Sequence, residues 1–257
     1  MTKAAVIVPA RYGSTRFPGK PLALINGKPM IEHVWLRAKT ARLADAVFVA
    51  TDNTDIFNTV EGFGGVAVMT SESCACGTDR IAEAVRDLPF TVVVNVQGDE
   101  PLIEPAMIDA VIELMHDDRA SMGTLKKKIT DTCELFDPNI VKVVTDCEDF
   151  ALYFSRSTIP YLRDVFDGKL PLINMDDINP AGIQYFKHIG IYSYKKDVLI
   201  RLSELPESVL ERAEKLEQLR ALANGYKIKV GETAFNTIAV DHPEDTGKVE
   251  RWLNTYS

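Results

Sequence analysis

Ala4-Ala5-Val6-Ile7-Val8 runs without a polar side chain into Pro9-Ala10-Arg11-Tyr12-Gly13-Ser14-Thr15-Arg16-Phe17-Pro18-Gly19-Lys20-Pro21. The apolar run reads as a strand buried on both faces, the kind found at the centre of a sheet covered by helices on each side. The segment after it then lies at the carboxyl end of that sheet, where open α/β sheets bind ligands. Three cations, Arg11, Arg16 and Lys20, share this loop with Gly13, Gly19 and the hydroxyls of Ser14 and Thr15. Glycines let backbone N–H groups approach phosphate closely, and the cations can neutralise a triphosphate and its departing pyrophosphate. A solvated basic loop is the competing reading. The loop is not a P-loop, because five residues separate Gly13 from Gly19-Lys20 and Pro21 stands where a Ser or Thr would hold magnesium. It also lacks G-x-G-x-x-G, so no dinucleotide fingerprint is present.

The pattern on either side agrees with that placement. Met30 to Ala41 has helical spacing, with Ile31, Val34, Trp35 and Ala38 on one face. Ala46 to Ala50, Val66 to Met69 and Thr91 to Val96 read as strands, the last interrupted only by Asn95, and Ile81 to Val85 belongs to a helix. Strand-helix alternation at this spacing predicts an α/β fold with a doubly wound, largely parallel sheet. Further on, Val141 to Val144, Ala151 to Phe154, Ile189 to Tyr194, Ile228 to Val230 and Thr237 to Val240 read as strands. Val209 to Ala223 reads as one helix stopped by Gly225, and a terminal helix is expected from about His242. Asp164 to Gln184 is polar and carries Pro and Gly, the pattern of a mobile excursion. The expected organisation is a single domain over 1–257 with a smaller lobe within 125–195.

Composition narrows the function classes. The 257 residues are 46% hydrophobic and 26% charged, as in a soluble globular protein. The formal charge of −8 argues against a nucleic-acid partner and requires that cations meeting an anionic substrate be concentrated locally, with help from a metal. Cys74, Cys76, Cys133 and Cys147 form no C-x-x-C pair, so neither a zinc site nor a disulfide framework is expected. No signal peptide or membrane span is visible, and a cytoplasmic location is expected.

Two aspartates stand out beside these elements. Asp99 follows the Thr91–Val96 strand after Gln97-Gly98, where it can hold a hard cation or cap the next turn. Asp241-His242-Pro243-Glu244 reads as a helix N-cap with an early proline and a capping-box glutamate. Glu100 adjoins Asp99, but neighbours on an extended chain point to opposite sides, which disfavours a shared metal.

The loop Ala10 to Leu22 resembles the signature loop of the CMP-KDO synthetases, the 3-deoxy-manno-octulosonate (KDO) cytidylyltransferases. Further blocks match in order: Val49-Ala50-Thr51-Asp52, Gly77-Thr78-Asp79-Arg80, Asn95-Val96-Gln97-Gly98-Asp99-Glu100-Pro101, Tyr153-Phe154-Ser155-Arg156, His188-Ile189-Gly190-Ile191-Tyr192, Leu216-Glu217-Gln218-Leu219-Arg220 and Val240-Asp241-His242-Pro243-Glu244-Asp245. The resemblance implies a Rossmann-like nucleotidyltransferase fold, usually homodimeric, that joins CMP from CTP to the anomeric hydroxyl of an acidic eight-carbon sugar. It implies Mg2+ on Asp99 and Asp241, with Arg16 and Lys20 beside them in catalysis. It implies nucleotide contacts from Ala10, Arg11, Gly13, Ser14, Lys20, Cys74, Arg80 and Gln97. For the sugar acid it implies Gln97, Arg156, His188, Tyr192, Glu217 and Gln218.

Each assignment has a plainer alternative. His188 can simply open a strand with its ring hydrogen-bonded, Arg156 can pair with a neighbouring acid, and Glu217 and Gln218 can be solvated residues off the apolar face of their helix. Cys76 departs from the resemblance by standing where serine is usual; it either loses a hydroxyl contact or serves as a small buried filler. Two rival activities stand beside KDO transfer. One is the same reaction on an 8-amino sugar; the other is a metal-dependent glycosyltransferase, which the cationic loop argues against because pyrophosphate is not its leaving group.

Overall fold

The computed structural model describes residues 3–13, 17–74, 76–166, 175 and 182–256. Its strands are β1 (Ala4–Ala10), β2 (Leu24–Ile25), β3 (Lys28–Pro29), β4 (Ala46–Thr51), β5 (Val66–Met69), β6 (Val92–Asn95), β7 (Met122–Lys128), β8 (Lys142–Thr145), β9 (Ala151–Ser155), β10 (Phe186–Lys195) and β11 (Ile228–Glu232). Nine of them form one sheet, ordered β11-β7-β10-β6-β1-β4-β5, with β8 pairing β10 and β9 beyond it; β2 and β3 pair separately. β6, β1, β4 and β5 run parallel, β10 is antiparallel to β6 and β7, and β11 is parallel to β7.

β1 sits at the centre because both of its faces are apolar. Ala4, Val6, Val8 and Ala10 enter one core cluster, packed on residues of the helices Met30–Lys39 and Pro105–Glu113. Ala5 and Ile7 enter the other, packed on the helices Gly77–Val85 and Lys196–Glu204. The side-chain period of two delivers alternate residues to opposite layers. Val6, Ile7 and Val8 are fully buried, each contributing roughly 1.5–3 kcal/mol. Ile31, Val34, Trp35 and Ala38 are buried on the first helix, as the spacing predicts.

Past the main sheet, β8 and β9 form an antiparallel pair, and Ile129, Leu135, Leu162, Phe166 and Tyr185 bury one another in a separate small cluster. The expected excursion at Asp164 to Gln184 falls largely outside the described residues. No helix among the described residues is long and apolar enough to cross a membrane.

Three expected elements differ. Thr237 to Val240 is not a strand, because Val240 buries its side chain beside Ile25, Met30, Leu102 and Val249 and its N–H donates to the Asp99 carbonyl at 2.9 Å. Val209 to Ala223 is two helices, Val209–Glu214 and Gln218–Ala223. The first opens on a Ser208–Glu211 capping box, and the break falls at Lys215, which has φ 54°. A single helix would place Val209 on the face of Leu216 and Leu219, yet Val209 is exposed while those leucines are buried. The terminal helix spans Thr246–Tyr256, after a short 3-10 turn at Pro243–Asp245.

Candidate active site

Two loops at the carboxyl ends of β1 and β6 converge. After Arg11 the chain folds back so that the Gly19 N–H donates to the Tyr12 carbonyl at 3.0 Å. Gly19 has φ 68°, a left-handed conformation that glycine adopts without strain, and it launches the 3-10 turn Lys20–Leu22 that carries Lys20 inward. On the other side, a Cβ on Gly98 would lie 2.7 Å from the Pro9 carbonyl oxygen, so only glycine lets the chain leave β6 this close to β1. The next residue is Asp99, and its Oδ2 accepts a hydrogen bond from Lys20 Nζ at 2.5 Å.

Asp241 joins them through the backbone. The bond from the Val240 N–H to the Asp99 carbonyl straps the two segments together, and Asp241 Oδ1 lies 3.9 Å from Lys20 Nζ. The expected capping role of Asp241 is corrected: His242 is the N-cap, and the Asp245 carboxylate accepts from the backbone N–H groups of Asp241 and His242 at 3.1 and 2.9 Å. Asp245 sits one turn on and can reach back to these N–H groups, which leaves the Asp241 carboxylate facing Lys20. Asp99 sits in a turn closed by the Glu100 N–H donating to the Gln97 carbonyl at 3.2 Å, so the expectation of an extended chain here is corrected. Glu100 is buried, bonded to Thr237, and its pKa is pushed up to about 8 by burial and by the charge of Asp99.

No group of three or more His, Cys, Asp or Glu side chains able to hold a metal occurs among the described residues. A carboxylate pair fits magnesium all the same, since that ion characteristically takes one or two carboxylates together with substrate phosphate oxygens and water. Asp99 and Asp241 are hard oxygen donors, and both approach Lys20.

These residues form part of a cavity of about 370 Å³, the size that holds a small ligand. The cavity is lined by Pro9, Ala10, Arg11 and Lys20 from the first loop, Gln97, Gly98 and Asp99 from the second, and Asp241, Cys74, Cys76, Gly77 and Arg80. The Arg80 guanidinium is buried and held from behind, donating to Asp52 Oδ2 and Thr70 Oγ1, each at 2.5 Å. Cys74 donates to Glu83 Oε2 at 3.3 Å, and burial pushes its thiol up to about 11. Cys76 is the N-cap residue of the helix Gly77–Val85 without capping it through its side chain. Its thiol points instead at Glu217 Oε1, 3.8 Å away, and burial pushes its pKa up to about 12.

Gln97 also lines a second cavity, of about 140 Å³, together with Asn95, Thr78, Tyr192, Tyr194, Glu217 and Gln218. The helix break at Lys215 turns Glu217 and Gln218 into this space. The alternative of solvated side chains is thereby corrected for Gln218, which is 6% exposed, with an Nε2 that has no hydrogen-bond partner among the described residues. Glu217 is held by the Thr78 hydroxyl, and burial raises its pKa. The Tyr194 hydroxyl bonds Thr78 and Asn95.

Other expected residues stand apart from both cavity walls. Arg156 donates from Nε to the Glu214 carbonyl at 2.7 Å and from Nη1 to the Pro138 carbonyl at 3.0 Å. The His188 ring is half-buried, 2.9 Å from Thr124 Oγ1, and its desolvation pushes its pKa down to about 3, so it is neutral. It packs edge-on to Phe154 and beside Tyr192. Gly13 is exposed and lines neither cavity. Ser14 and Arg16 lie outside the described residues. Sequence reasoning missed Tyr194, Thr78 and Asn95 as wall residues. The period of two along β10 places Tyr194 on the face of Tyr192 and was the available signal.

A mostly parallel sheet with a cationic loop and a carboxylate pair around a cavity at its carboxyl edge defines a nucleotidyltransferase. A family model described as cytidylyltransferase matches residues 5–228, and the chain belongs to the 3-deoxy-manno-octulosonate cytidylyltransferase family. The protein of that name from Thermodesulfovibrio yellowstonii is 51% identical, over 98% of each chain. That from Syntrophotalea carbinolica is 50% identical, over 96% of this chain and 97% of its own. Among solved structures, a CMP:2-keto-3-deoxy-manno-octonic acid synthetase complexed with CTP matches with a TM-score of 0.89 and 40% identity over the whole of both chains. A 4-diphosphocytidyl-2C-methyl-D-erythritol synthase from Anaerococcus prevotii matches with a TM-score of 0.62 at 16% identity, covering 98% of this chain and 96% of its own, and shares the fold.

Proposed function

We propose that this cytidylyltransferase transfers CMP from CTP to the anomeric hydroxyl of KDO and releases pyrophosphate. The observation that carries the reading is the meeting of Lys20 with Asp99 and Asp241 in the larger cavity, beside a second cavity that shares Gln97. Phosphoryl transfer asks a protein chiefly for positioning and charge stabilisation. Lys20 and Arg11, with Arg16 from the same loop, meet the triphosphate and the pyrophosphate that leaves. Ala10, Gly13 and Ser14 bring backbone to the phosphates. Cys74 and Arg80 lie on the wall toward the base.

The second cavity receives the sugar. Gln97, Tyr192, Glu217 and Gln218 read its hydroxyls, and His188 fixes Tyr192 by packing. Arg156 is assigned to the sugar carboxylate, for which it would exchange its backbone carbonyl partners. Asp99 and Asp241 would hold magnesium, which acidifies the attacking hydroxyl and neutralises phosphate oxygens. The unpartnered amide of Gln218 supports a polar ligand here, because a buried donor left alone costs about 1–3 kcal/mol.

A homodimer in the cytoplasm, with 125–195 as a smaller lobe, completes the proposal. The test is kcat/KM with CTP on KDO, on its 8-amino analogue and on N-acetylneuraminate. The reading predicts KDO as the preferred acceptor; preference for either other sugar would replace it.

A further inference from the structure

We propose that Lys20 is a resident counter-cation that competes with the divalent metal for Asp99 and Asp241, so that the metal is admitted together with the nucleotide and not before it. The proposal rests on the reading of these two aspartates as metal ligands and concerns what they do without substrate. Lys20 Nζ lies 2.5 Å from Asp99 Oδ2 and 3.9 Å from Asp241 Oδ1, so the ammonium hydrogen-bonds the first carboxylate and stands within ion-pair range of the second. Two properties make this a competition. A magnesium ion binds carboxylate oxygen at about 2.0–2.1 Å, and at Asp99 Oδ2 it needs the lone pair that the ammonium already engages, while the contact with Asp241 is an ion pair without a hydrogen bond. A second cation brought to the same oxygens is also repelled by the first, most strongly at Asp99, where the Lys20 and Asp99 side chains are 15% and 29% exposed, and less at Asp241, which is 43% exposed and better screened by water.

Lys20 has somewhere to go. Its ammonium is a compact charge on a flexible four-carbon stem, and it opens on the same cavity as Arg11. A triphosphate entering there offers Lys20 a more highly charged partner, and the carboxylates are released as the phosphates arrive. Until then the ammonium holds the two aspartates in register and stops their mutual repulsion from spreading the site. One side chain thus serves first as a stand-in for the metal and then as a phosphate ligand.

The test measures Mn2+ binding to the nucleotide-free protein by the electron paramagnetic resonance signal of free Mn2+, with Mg2+ competition as a check. The proposal expects weak binding in the wild type and in Lys20→Arg, at least tenfold tighter binding in Lys20→Met, and loss of that gain when Asp99→Asn or Asp241→Asn is added to Lys20→Met. Circular dichroism on each variant verifies folding, with Lys20→Gln as the replacement if Lys20→Met does not fold. Equal affinity in wild type and Lys20→Met, both abolished by Asp99→Asn, overturns the competition while leaving the metal site standing. Binding indifferent to both aspartates in every variant overturns the metal reading, and the proposal with it.

Discussion

Lys20 and Asp99 are 79 residues apart in sequence and 2.5 Å apart in space, where the turn after β1 meets the loop after β6. Everything proposed for catalysis depends on that meeting. Gly19 and Gly98 supply the backbone freedom on its two sides, and the Val240–Asp99 backbone bond adds Asp241 as a third member.

Replacing either partner should cost turnover without unfolding the chain. Losing one preorganised charge contact typically removes about 3 kcal/mol of transition-state stabilisation, roughly a hundredfold in rate. Lys20→Ala and Asp99→Ala are each expected to lower kcat at least that far with an unchanged circular dichroism spectrum. Near-normal turnover in either variant removes that residue from the mechanism.

Gly98→Ala probes the approach of the two loops. Its Cβ would meet the Pro9 carbonyl oxygen at 2.7 Å, and relieving such an overlap typically costs about 1–3 kcal/mol. Urea unfolding should show a loss of that order. Activity should fall further than stability explains, because Asp99 moves with its neighbour.

Much of this was legible in the residues themselves. The apolar run Ala4 to Val8 announced a central strand, and the basic loop after it announced the ligand edge. Asn95, the one polar residue in the valine run of β6, lies 4% exposed on the wall of the second cavity. What failed was local grammar under tertiary demand. Asp241-His242-Pro243-Glu244 reads as a capping box, yet the register slips by one and Asp245 does the capping. Nothing between Val209 and Ala223 signals a break. Lys215 adopts its left-handed conformation while Leu216 and Leu219 pack into the core and Glu217 and Gln218 turn to the cavity.

The Cys76 thiol touches Glu217 Oε1 at 3.8 Å and so links the wall of one cavity to a residue of the other. A hydroxyl is a stronger donor than a thiol. Cys76→Ser is expected to keep kcat and lower KM for the sugar acid, whereas Cys76→Val should raise that KM severalfold with KM for CTP little changed. Steady-state kinetics varying each substrate in turn will show whether the split is present.

Stability should respond to pH in opposite directions at His188 and Glu100. His188 has its pKa pushed down to about 3 from 6.5 by desolvation. Below 6.5 the unfolded chain therefore takes up a proton that the folded protein refuses. This site's contribution is lost as pH falls from about 6.5 toward about 3, at up to about 1.4 kcal/mol per pH unit. Glu100 has its pKa pushed up to about 8 from 4.5, chiefly by burial. The folded protein keeps a proton that the unfolded chain releases, so this contribution is lost as pH rises from about 4.5 to about 8. In urea unfolding across that range, His188→Gln should flatten the acid limb relative to wild type and Glu100→Gln the alkaline limb.

The account stands most directly on the coupling of two substrates at adjoining cavities, and pyrophosphate release with magnesium over a panel of nucleotides and sugar acids measures it. Rapid release with CTP and KDO together, near background with either alone or with ATP, GTP or UTP, is the predicted result. Pyrophosphate formed from CTP at the same rate whether or not a sugar acid is present, or none formed with any acceptor, would contradict it.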